Sequence, residues 1–177
     1  MIKKISCSSR TRLRNACVLF LSIASIIAAG SPDNLPTAPR FTLRDINNRL
    51  VSTDSLIARG PLIIDFWATW CVPCMAEFKA IEKLLKKHAD KKLTVLAISE
   101  DGPSEAAKVK QMATTKKWPF IVAMDKGRNI AQKFNVSALP SLFLIGSDGK
   151  IRLTSRGYVT GDEAKLEKVL CDTTASK

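Results

Sequence analysis

The sequence predicts an α/β fold with a central mixed β-sheet flanked by helices. Segments typical of buried strands alternate along the chain with segments of helical periodicity, and such alternation is characteristic of a sheet covered by helices on both faces. Near the C-terminus, Ser141–Ile145 and Ile151–Ser155 flank the turn Gly146-Ser-Asp-Gly149. A hairpin at this point adds antiparallel strands to an otherwise parallel sheet, so the sheet is expected to be mixed.

The remaining elements follow in a regular order. An N-terminal β-hairpin is predicted over Phe41–Ser52, turning at Asp45–Asn48. The continuous apolar run Leu62–Ala68 is typical of a central buried strand, and Leu93–Ser99 and Phe120–Met124 are further predicted strands. Helical periodicity predicts helices around residues 78–88, 104–117, 129–134 and 166–170.

Composition limits the class of protein. The chain has 177 residues, enough for one domain with its own core. Its formal net charge is +12, and a strongly basic chain is one sign of nucleic-acid binding. However, the lysine pairs of the predicted domain have no aromatic residues interleaved with them, and five basic residues fall within the first 15 positions: Lys3, Lys4, Arg10, Arg12 and Arg14. No nucleic-acid partner is therefore expected.

The first 30 residues have the pattern of a targeting segment. A basic stretch without acids precedes the apolar run Ala16–Gly30, which ends in small residues. As a helix at about 1.5 Å per residue, this run spans roughly 22 Å, less than the ~30 Å hydrocarbon core of a bilayer. We expect a secretory signal peptide cleaved near Gly30, with an uncleaved membrane anchor as the alternative. Export would place the protein in the periplasm or otherwise outside the cytoplasm, where disulfides persist.

The predicted organisation has four parts. Residues 1–30 are the signal peptide or anchor, 31–39 an extended leader, 40–171 the folded domain and 172–177 a flexible tail. Without residues 1–30, the chain retains Cys71, Cys74 and Cys171. Cys171 is expected to be half-buried in the last helix, with intermolecular pairing as the alternative. A monomer is expected.

The chemistry is concentrated in Trp70-Cys-Val-Pro-Cys74, where a predicted strand passes into a helix. Cysteines three residues apart lie on one helical face, close to the distance that a disulfide bridges. Cys71, at the helix N-terminus, is expected to be the exposed nucleophile, because the free N–H groups there stabilise a thiolate. Cys74 is expected to be the more buried, resolving cysteine. Pro73 is compatible with the start of the helix, because the N–H that proline lacks would be unpaired in the first turn in any case.

Other uses of the cysteine pair have less support. A zinc site lacks its other ligands, and a c-type haem site needs His where Met75 stands. A structural disulfide closing so short a loop adds little stability. It remains the basis of the alternative, a non-catalytic binding or chaperone-like module. A peroxidase of related fold would need a Pro-x-x-x-Thr-x-x-Cys segment, which is absent between Asp65 and Cys71.

The segment Phe66-Trp-Ala-Thr-Trp-Cys-Val-Pro-Cys74 resembles the active site of the thioredoxin superfamily, specifically of its extracytoplasmic TlpA/ResA-type branch. A second segment, Val136-Ser-Ala-Leu-Pro-Ser141, is similar to the region that holds a cis-proline facing the disulfide in this family. The resemblance implies a thioredoxin-like fold over about 41–170 and a redox-active Cys71–Cys74 disulfide. It also implies a substrate-binding surface, here called the docking surface, formed by Trp70, Pro73, Leu139 and Pro140.

Two carboxylates are candidates for proton transfer. Asp65 interrupts the apolar run of the central strand, where a carboxylate is costly unless it is neutralised or hydrogen-bonded. Its position resembles that of the buried aspartate of thioredoxin, which implies that it takes the proton of Cys74; an aspartate that reaches solvent is the alternative. The lysine near that aspartate in thioredoxins would fall around Ala97. Glu77 matches a carboxylate of the TlpA-type branch or, equally, a partner of the helix dipole.

The sequence therefore predicts a thiol–disulfide oxidoreductase that exchanges disulfides with partner proteins. No cofactor and no metal are expected, because the dithiol itself holds the two electrons. Val72-Pro73 lacks the His found in strongly oxidising motifs, which favours a reductant. By resemblance, its task would be cytochrome c maturation or a similar one, with disulfide-bearing proteins as substrates and a membrane electron donor as the source of electrons.

Overall fold

A five-stranded mixed sheet forms the centre of the fold. The structure is a computed structural model that describes residues 34–175, so the predicted signal peptide or anchor lies outside the described residues. In chain order the strands are β1 (Thr42–Arg44), β2 (Leu50–Ser52), β3 (Leu62–Trp67), β4 (Thr94–Ser99), β5 (Ile121–Met124), β6 (Ser141–Ile145) and β7 (Ile151–Arg156). The order in the sheet is β5-β4-β3-β6-β7, with β3, β4 and β5 parallel. Strands β6 and β7 are antiparallel to their neighbours, as the turn between them predicts.

Helices cover both faces of this sheet. They are α1 (Thr53–Ile57), α2 (Val72–Lys87), α3 (Ala106–Lys116), α4 (Asn129–Lys133) and α5 (Asp162–Ala175). The predicted α/β arrangement, with an N-terminal β1–β2 hairpin and a central mixed sheet, is confirmed. Within residues 34–175, no helix is both long and apolar enough to cross a bilayer.

The central strand β3 explains why two separate cores form. Its six residues are all buried, and side chains alternate between the two faces of a strand. Leu62, Ile64 and Phe66 pack in a core with residues of α1 and α4. Ile63 and Trp67 pack in the other core, with residues of α2, α3 and α5. This second core also contains both cysteines of the Cys-Val-Pro-Cys motif.

Two boundaries differ from the prediction. Residues before 40 already pack on the domain, because the Ala38 N–H donates to the Gly149 carbonyl and the Ile151 N–H to that of Pro36, at 2.9 and 2.8 Å. At the other end, α5 continues to Ala175, so residues 172–175 are helical and are not a flexible tail. The hydroxyl of Thr173 donates to the Val169 carbonyl one turn earlier.

Candidate active site

The cysteine pair lies where β3 passes into α2. Cys71 is the N-cap of α2, and its sulfur accepts the Cys74 N–H at 3.3 Å. The two cysteines form a disulfide, with their Cα atoms 5.4 Å apart. The Cys71 N–H donates to the Ala68 carbonyl at 3.0 Å, which forms a tight turn directly after the strand. The helix therefore begins at the reactive cysteine, where its free N–H groups favour a thiolate.

Cys71 is much less exposed than the sequence led us to expect. Only 4% of its surface is accessible, against none for Cys74. The prediction of an exposed Cys71 is wrong for the disulfide form, because its sulfur is bonded inward to the sulfur of Cys74. The exposed groups are its neighbours, since 68% of Trp70 and 80% of Val72 is accessible. These two side chains flank Cys71 in the sequence and leave an apolar surface next to the disulfide.

The second predicted segment lies at the same edge of the sheet. Strand β6 runs antiparallel to β3, and Ser141 pairs with Phe66 near the end of β3. The start of β6 is therefore placed beside the loop that leads to Cys71. The Leu139–Pro140 peptide bond is cis, as the resemblance implies. The Pro140 carbonyl accepts the Gly157 N–H at 2.8 Å, which joins this segment to the loop between β7 and α5.

Asp65 lies within β3 and has no accessible surface, so the alternative of an aspartate that reaches solvent is wrong. It shares a strand face with Ile63 and Trp67, which belong to the core that contains Cys74. Its partner on β4 is Ala97. This is the position at which thioredoxins were expected to have a lysine, so an alanine lies beside Asp65 in its place. The carboxyl of Asp65 thus faces an apolar core on the α2 side of the sheet.

Glu77 supplies a second carboxyl in the same region. It lies on α2 one turn after Cys74 and is only 4% exposed. Because it is buried and follows the first helical turn, it is not an exposed partner of the helix dipole. Burial raises the pKa of Asp65 well above its ordinary value, and the charge of Glu77 raises it further. Burial likewise raises the pKa of Glu77 to about 7.

This pair of carboxyls has no compensating donor among residues 34–175. Neither carboxyl oxygen of Asp65 has a hydrogen-bond partner of standard geometry there, and Oε2 of Glu77 has none either. Because both pKa values are raised, the doubly ionised form of the pair is disfavoured compared with two ordinary carboxyls. Two coupled carboxyls in this state can accept a further proton or release one. The sequence indicated each carboxyl separately, but not that the two interact.

Two further buried carboxylates were not identified from the sequence. Asp101 follows β4 and accepts the hydroxyl of Ser99 at 2.8 Å and both the N–H and hydroxyl of Thr69. Glu100 lies 2.9 Å from the guanidinium of Arg128, which also donates to the Val136 carbonyl at 3.2 Å. One carboxylate thus fixes the loop before Cys71, and the other fixes the segment that leads to Pro140. Both follow the buried strand β4, as the first and second residues beyond its end, and this position is the sequence feature that points to them.

Comparison with known proteins shows which family the chain belongs to. The sequence profile of the AhpC/TSA family matches residues 36–154, more than half of the chain. The chain belongs to the AhpC/TSA family. A relative named thiol-disulfide oxidoreductase ResA from Bacillus cereus is 33% identical over 134 residues, covering 75% of this chain and 76% of the relative. A protein of the same name from Bacillus subtilis is 30% identical over 146 residues, covering 81% and 80%.

Solved structures show the same architecture. A crystal structure from Chlorobium tepidum, assigned to the DsbE thiol:disulfide interchange proteins, superposes with a TM-score of 0.72 at 25% identity and covers 79% of this chain and 96% of its own. Together with the ResA relatives and the Cys71–Cys74 disulfide, this similarity confirms the thioredoxin-like fold and the enzyme class. This member of the AhpC/TSA family is a thiol–disulfide oxidoreductase.

Proposed function

We propose that the protein reduces disulfide bonds of partner proteins outside the cytoplasm, in cytochrome c maturation or a similar task, and is re-reduced by a membrane electron donor. The observation that most supports reduction is the buried Asp65–Glu77 pair in the core that holds Cys74, for which residues 34–175 supply no paired cation. Negative charge near a dithiol disfavours its thiolate forms, whereas strong oxidants stabilise theirs. The location is supported by the pattern of residues 1–30.

The reaction follows from the positions of the two sulfurs. The Cys71 thiolate attacks a sulfur of the partner disulfide, forms a mixed disulfide and releases one partner thiolate. Cys74 then attacks Cys71, closes the Cys71–Cys74 disulfide and releases the second partner thiolate. The proton of Cys74 passes to the Asp65–Glu77 pair, with Asp65 as the predicted base. Two electrons move from the dithiol to the partner, so the residues need no further redox group for this step.

The roles in binding are also proposals. The docking surface has one strongly exposed member, Trp70, and a buried one, Pro140. Leu139 is half-buried and Pro73 is exposed. A partner segment that lies across this surface would bring its disulfide next to Cys71. We expect the protein to act on such partners as a monomer.

Insulin reduction tests the activity. With dithiothreitol as the electron source, the full chain should accelerate reduction of insulin disulfides, Cys71→Ser should abolish this acceleration, and Cys171→Ser should retain it. A reduction potential nearer about −270 mV than about −120 mV is expected, and a value well above about −150 mV would contradict the reductant. Absence of any Cys71-dependent activity would favour the alternative, a binding or chaperone-like module.

Trapping tests the partners. In Cys74→Ser the mixed disulfide on Cys71 has no resolving thiol, so partner proteins should remain covalently attached and can be identified after isolation from the native compartment. Cys71→Ser/Cys74→Ser is the matched control and should retain none. N-terminal sequencing of the isolated protein shows in the same experiment whether residues 1–30 are removed. A trap that captures nothing would contradict the proposed exchange with proteins.

A further inference from the structure

A small cavity borders Glu77, one member of the carboxyl pair. Its volume is about 60 Å³, and it lies between α2, the ends of β6 and β7, and the start of α5. A bound water requires about 10–15 Å³ of such volume, so several water molecules fit. Glu77 and Ala80 line it from α2, Leu153 from β7, and Tyr158 and Asp162 from the loop and helix that follow. Neither Trp70 nor Val72 is among the lining residues.

Glu77 is the member of the pair that reaches this cavity. Glu77 is buried and lines the cavity, and its Oε2 has no hydrogen-bond partner within residues 34–175. Asp65, in contrast, has no accessible surface and does not line the cavity. Because Asp65 and Glu77 interact with each other, a proton on Asp65 can reach the cavity by way of Glu77. The apolar part of the wall consists of Ala80, Ile81, Leu142, Leu153 and Leu166.

The outer rim of the cavity is polar and ordered. The Tyr158 hydroxyl donates to Glu163 Oε2 at 3.0 Å, and the Gly161 N–H donates to the same oxygen at 2.8 Å. Burial, together with the neighbouring Glu163 and Glu77, raises the pKa of Tyr158 to about 12, so this hydroxyl stays protonated at neutral pH. The ionisable groups around Glu77 are Asp65 from β3, Tyr158 from the β7–α5 loop, and Asp162, Glu163 and Lys165 from α5.

We propose that this cavity is the proton port of the active site: the proton that Cys74 loses leaves through the Asp65–Glu77 pair and then through the cavity rimmed by Tyr158 and Glu163. The proposal rests on the proposed reduction of protein disulfides. In the mixed-disulfide state the partner lies over Cys71 and covers the direct route to solvent. The cavity provides a route that the partner residues bound to Cys71 do not occupy.

The proton balance of this step is complete. Cys74–SH attacks the Cys71 sulfur; the new S–S bond forms, the bond to the partner sulfur breaks, and the partner leaves as a thiolate. The proton of Cys74 moves onto the carboxyl pair, one proton leaves Glu77 for water in the cavity, and the departing thiolate takes its proton from solvent. The pair returns to its starting protonation state and can act again.

Filling the cavity tests the port. Ala80→Leu adds a side chain from α2, and Leu153→Phe adds volume from β7; Ala107→Leu on the exposed side of α3 is the matched control. Two rates are measured in the full chain: reduction of insulin, which needs the Cys74 proton to leave, and alkylation of reduced Cys71 by iodoacetamide, which does not. We expect insulin reduction about tenfold slower at pH 7 in both filling variants, and alkylation within twofold of the original in all three.

A pH profile and a double variant distinguish the port from a purely structural effect. The rate of insulin reduction should follow the ionisation of Glu77 near pH 7 in the original chain and lose this dependence in Ala80→Leu. Glu77→Gln should slow the reaction to a similar degree, and Glu77→Gln/Ala80→Leu should be no slower than Glu77→Gln alone, because both changes act on one route.

The outcomes separate this proposal from the proposed function. If the original chain reduces insulin and both filling variants do so equally fast, the port is wrong and the function stands. Additive losses in the double variant, or alkylation that falls in parallel with reduction, also count against the port. If the original chain shows no Cys71-dependent reduction at all, the proposed function itself fails.

Discussion

The carboxylate of Asp101 binds Thr69 through two hydrogen bonds. Oδ2 accepts the Thr69 N–H at 2.8 Å, and Oδ1 accepts the Thr69 hydroxyl at 2.7 Å. Thr69 lies two residues before Cys71, in the loop that joins β3 to α2, whereas Asp101 follows β4. Because these strands are adjacent and parallel, the end of β4 holds the start of the active-site loop. The position of Cys71 thus depends on a residue 30 positions away.

Removal of these hydrogen bonds should loosen the active-site loop in steps. Thr69→Val removes one bond to a charged acceptor and should lower the free energy of unfolding by about 2 kcal/mol. Asp101→Ala should lower it further, because it leaves the Thr69 N–H and the Ser99 hydroxyl without their acceptor. Urea denaturation measures both values, and insulin reduction should fall in the same order. Asp90→Ala, at an exposed position, is the control; equal losses in the three variants would contradict this role of Asp101.

The raised pKa of Glu77 predicts a specific dependence of stability on pH. The pKa in the folded protein is about 7, above the ordinary value of 4.5, so the folded state binds the proton more tightly than the unfolded chain does. Stability contributed by the protonated group is therefore complete below pH 4.5 and is lost as pH rises to about 7. The loss is on the order of 3 kcal/mol for this group. Glu77→Gln should avoid it.

Thermal unfolding between pH 4.5 and pH 8 measures this effect. The melting temperature of Glu77→Gln should exceed that of the original chain at pH 8, and the difference should disappear near pH 4.5. Glu82→Gln, at a less buried position of the same helix, is the control. A Glu77→Gln variant that is less stable at pH 8 would mean that the carboxylate is stabilised in the folded state by a partner. A gain in stability together with slower insulin reduction would fit a residue kept for function.

The sequence was sufficient for features that local patterns encode. Apolar runs and helical periodicity located the central strands and α2, and the Cys-x-x-Cys spacing located the disulfide. The burial of Asp65 also followed from its neighbours, since apolar residues on both sides indicate a strand with two buried faces. Helix α1 was missed because its five residues are too few to show a period, and its start depends on the Ser52 side chain, which accepts the Ser55 N–H.

The contacts between elements could not be predicted in this way. In the sequence, Asp101 and Glu100 are ordinary polar residues after a strand. No neighbouring residue indicates that their partners are Thr69 and Arg128. Those pairs depend on the register between β3 and β4 and on the path of the β5–β6 connection. The interaction of Asp65 with Glu77 likewise depends on how α2 packs on the sheet. The exposure of Cys71 was overestimated because it depends on whether the disulfide is closed.

The Glu100–Arg128 pair should make stability depend on pH through a second group. Burial and the charge of Asp125, opposed by Arg128, together raise the pKa of Glu100 to about 7. Since the folded pKa lies above the ordinary value, this group also costs stability as pH rises through 7. Arg128→Gln removes the opposing charge, so the cost should grow and continue to higher pH.

Melting temperatures at pH 6 and pH 8 check this prediction. Arg128→Gln should lose more stability at pH 8 than at pH 6, and Glu100→Gln/Arg128→Gln should lose about the same at both, because no buried carboxyl remains in that pair to ionise. Equal losses of the single variant at the two pH values would show that Arg128 acts only through its bond to the Val136 carbonyl. In either case the segment before Pro140 loses a tether, so insulin reduction should slow.

The exposed side chains beside Cys71 should distinguish large partners from small ones. Val72 is 80% exposed although it is apolar, and a protein that docks over the disulfide would bury it. Burial of a valine contributes about 1.5–3 kcal/mol, so Val72→Asp should slow insulin reduction roughly tenfold or more. Reaction of reduced Cys71 with oxidised glutathione, which covers little of this surface, should slow less than insulin reduction does, because the new carboxylate disfavours the Cys71 thiolate in both reactions but removes docking contacts only from the protein substrate. Leu50→Asp changes a similarly exposed residue on β2 and should affect neither rate. If Val72→Asp slows both reactions equally, the side chain acts on the chemistry of Cys71 and not on docking.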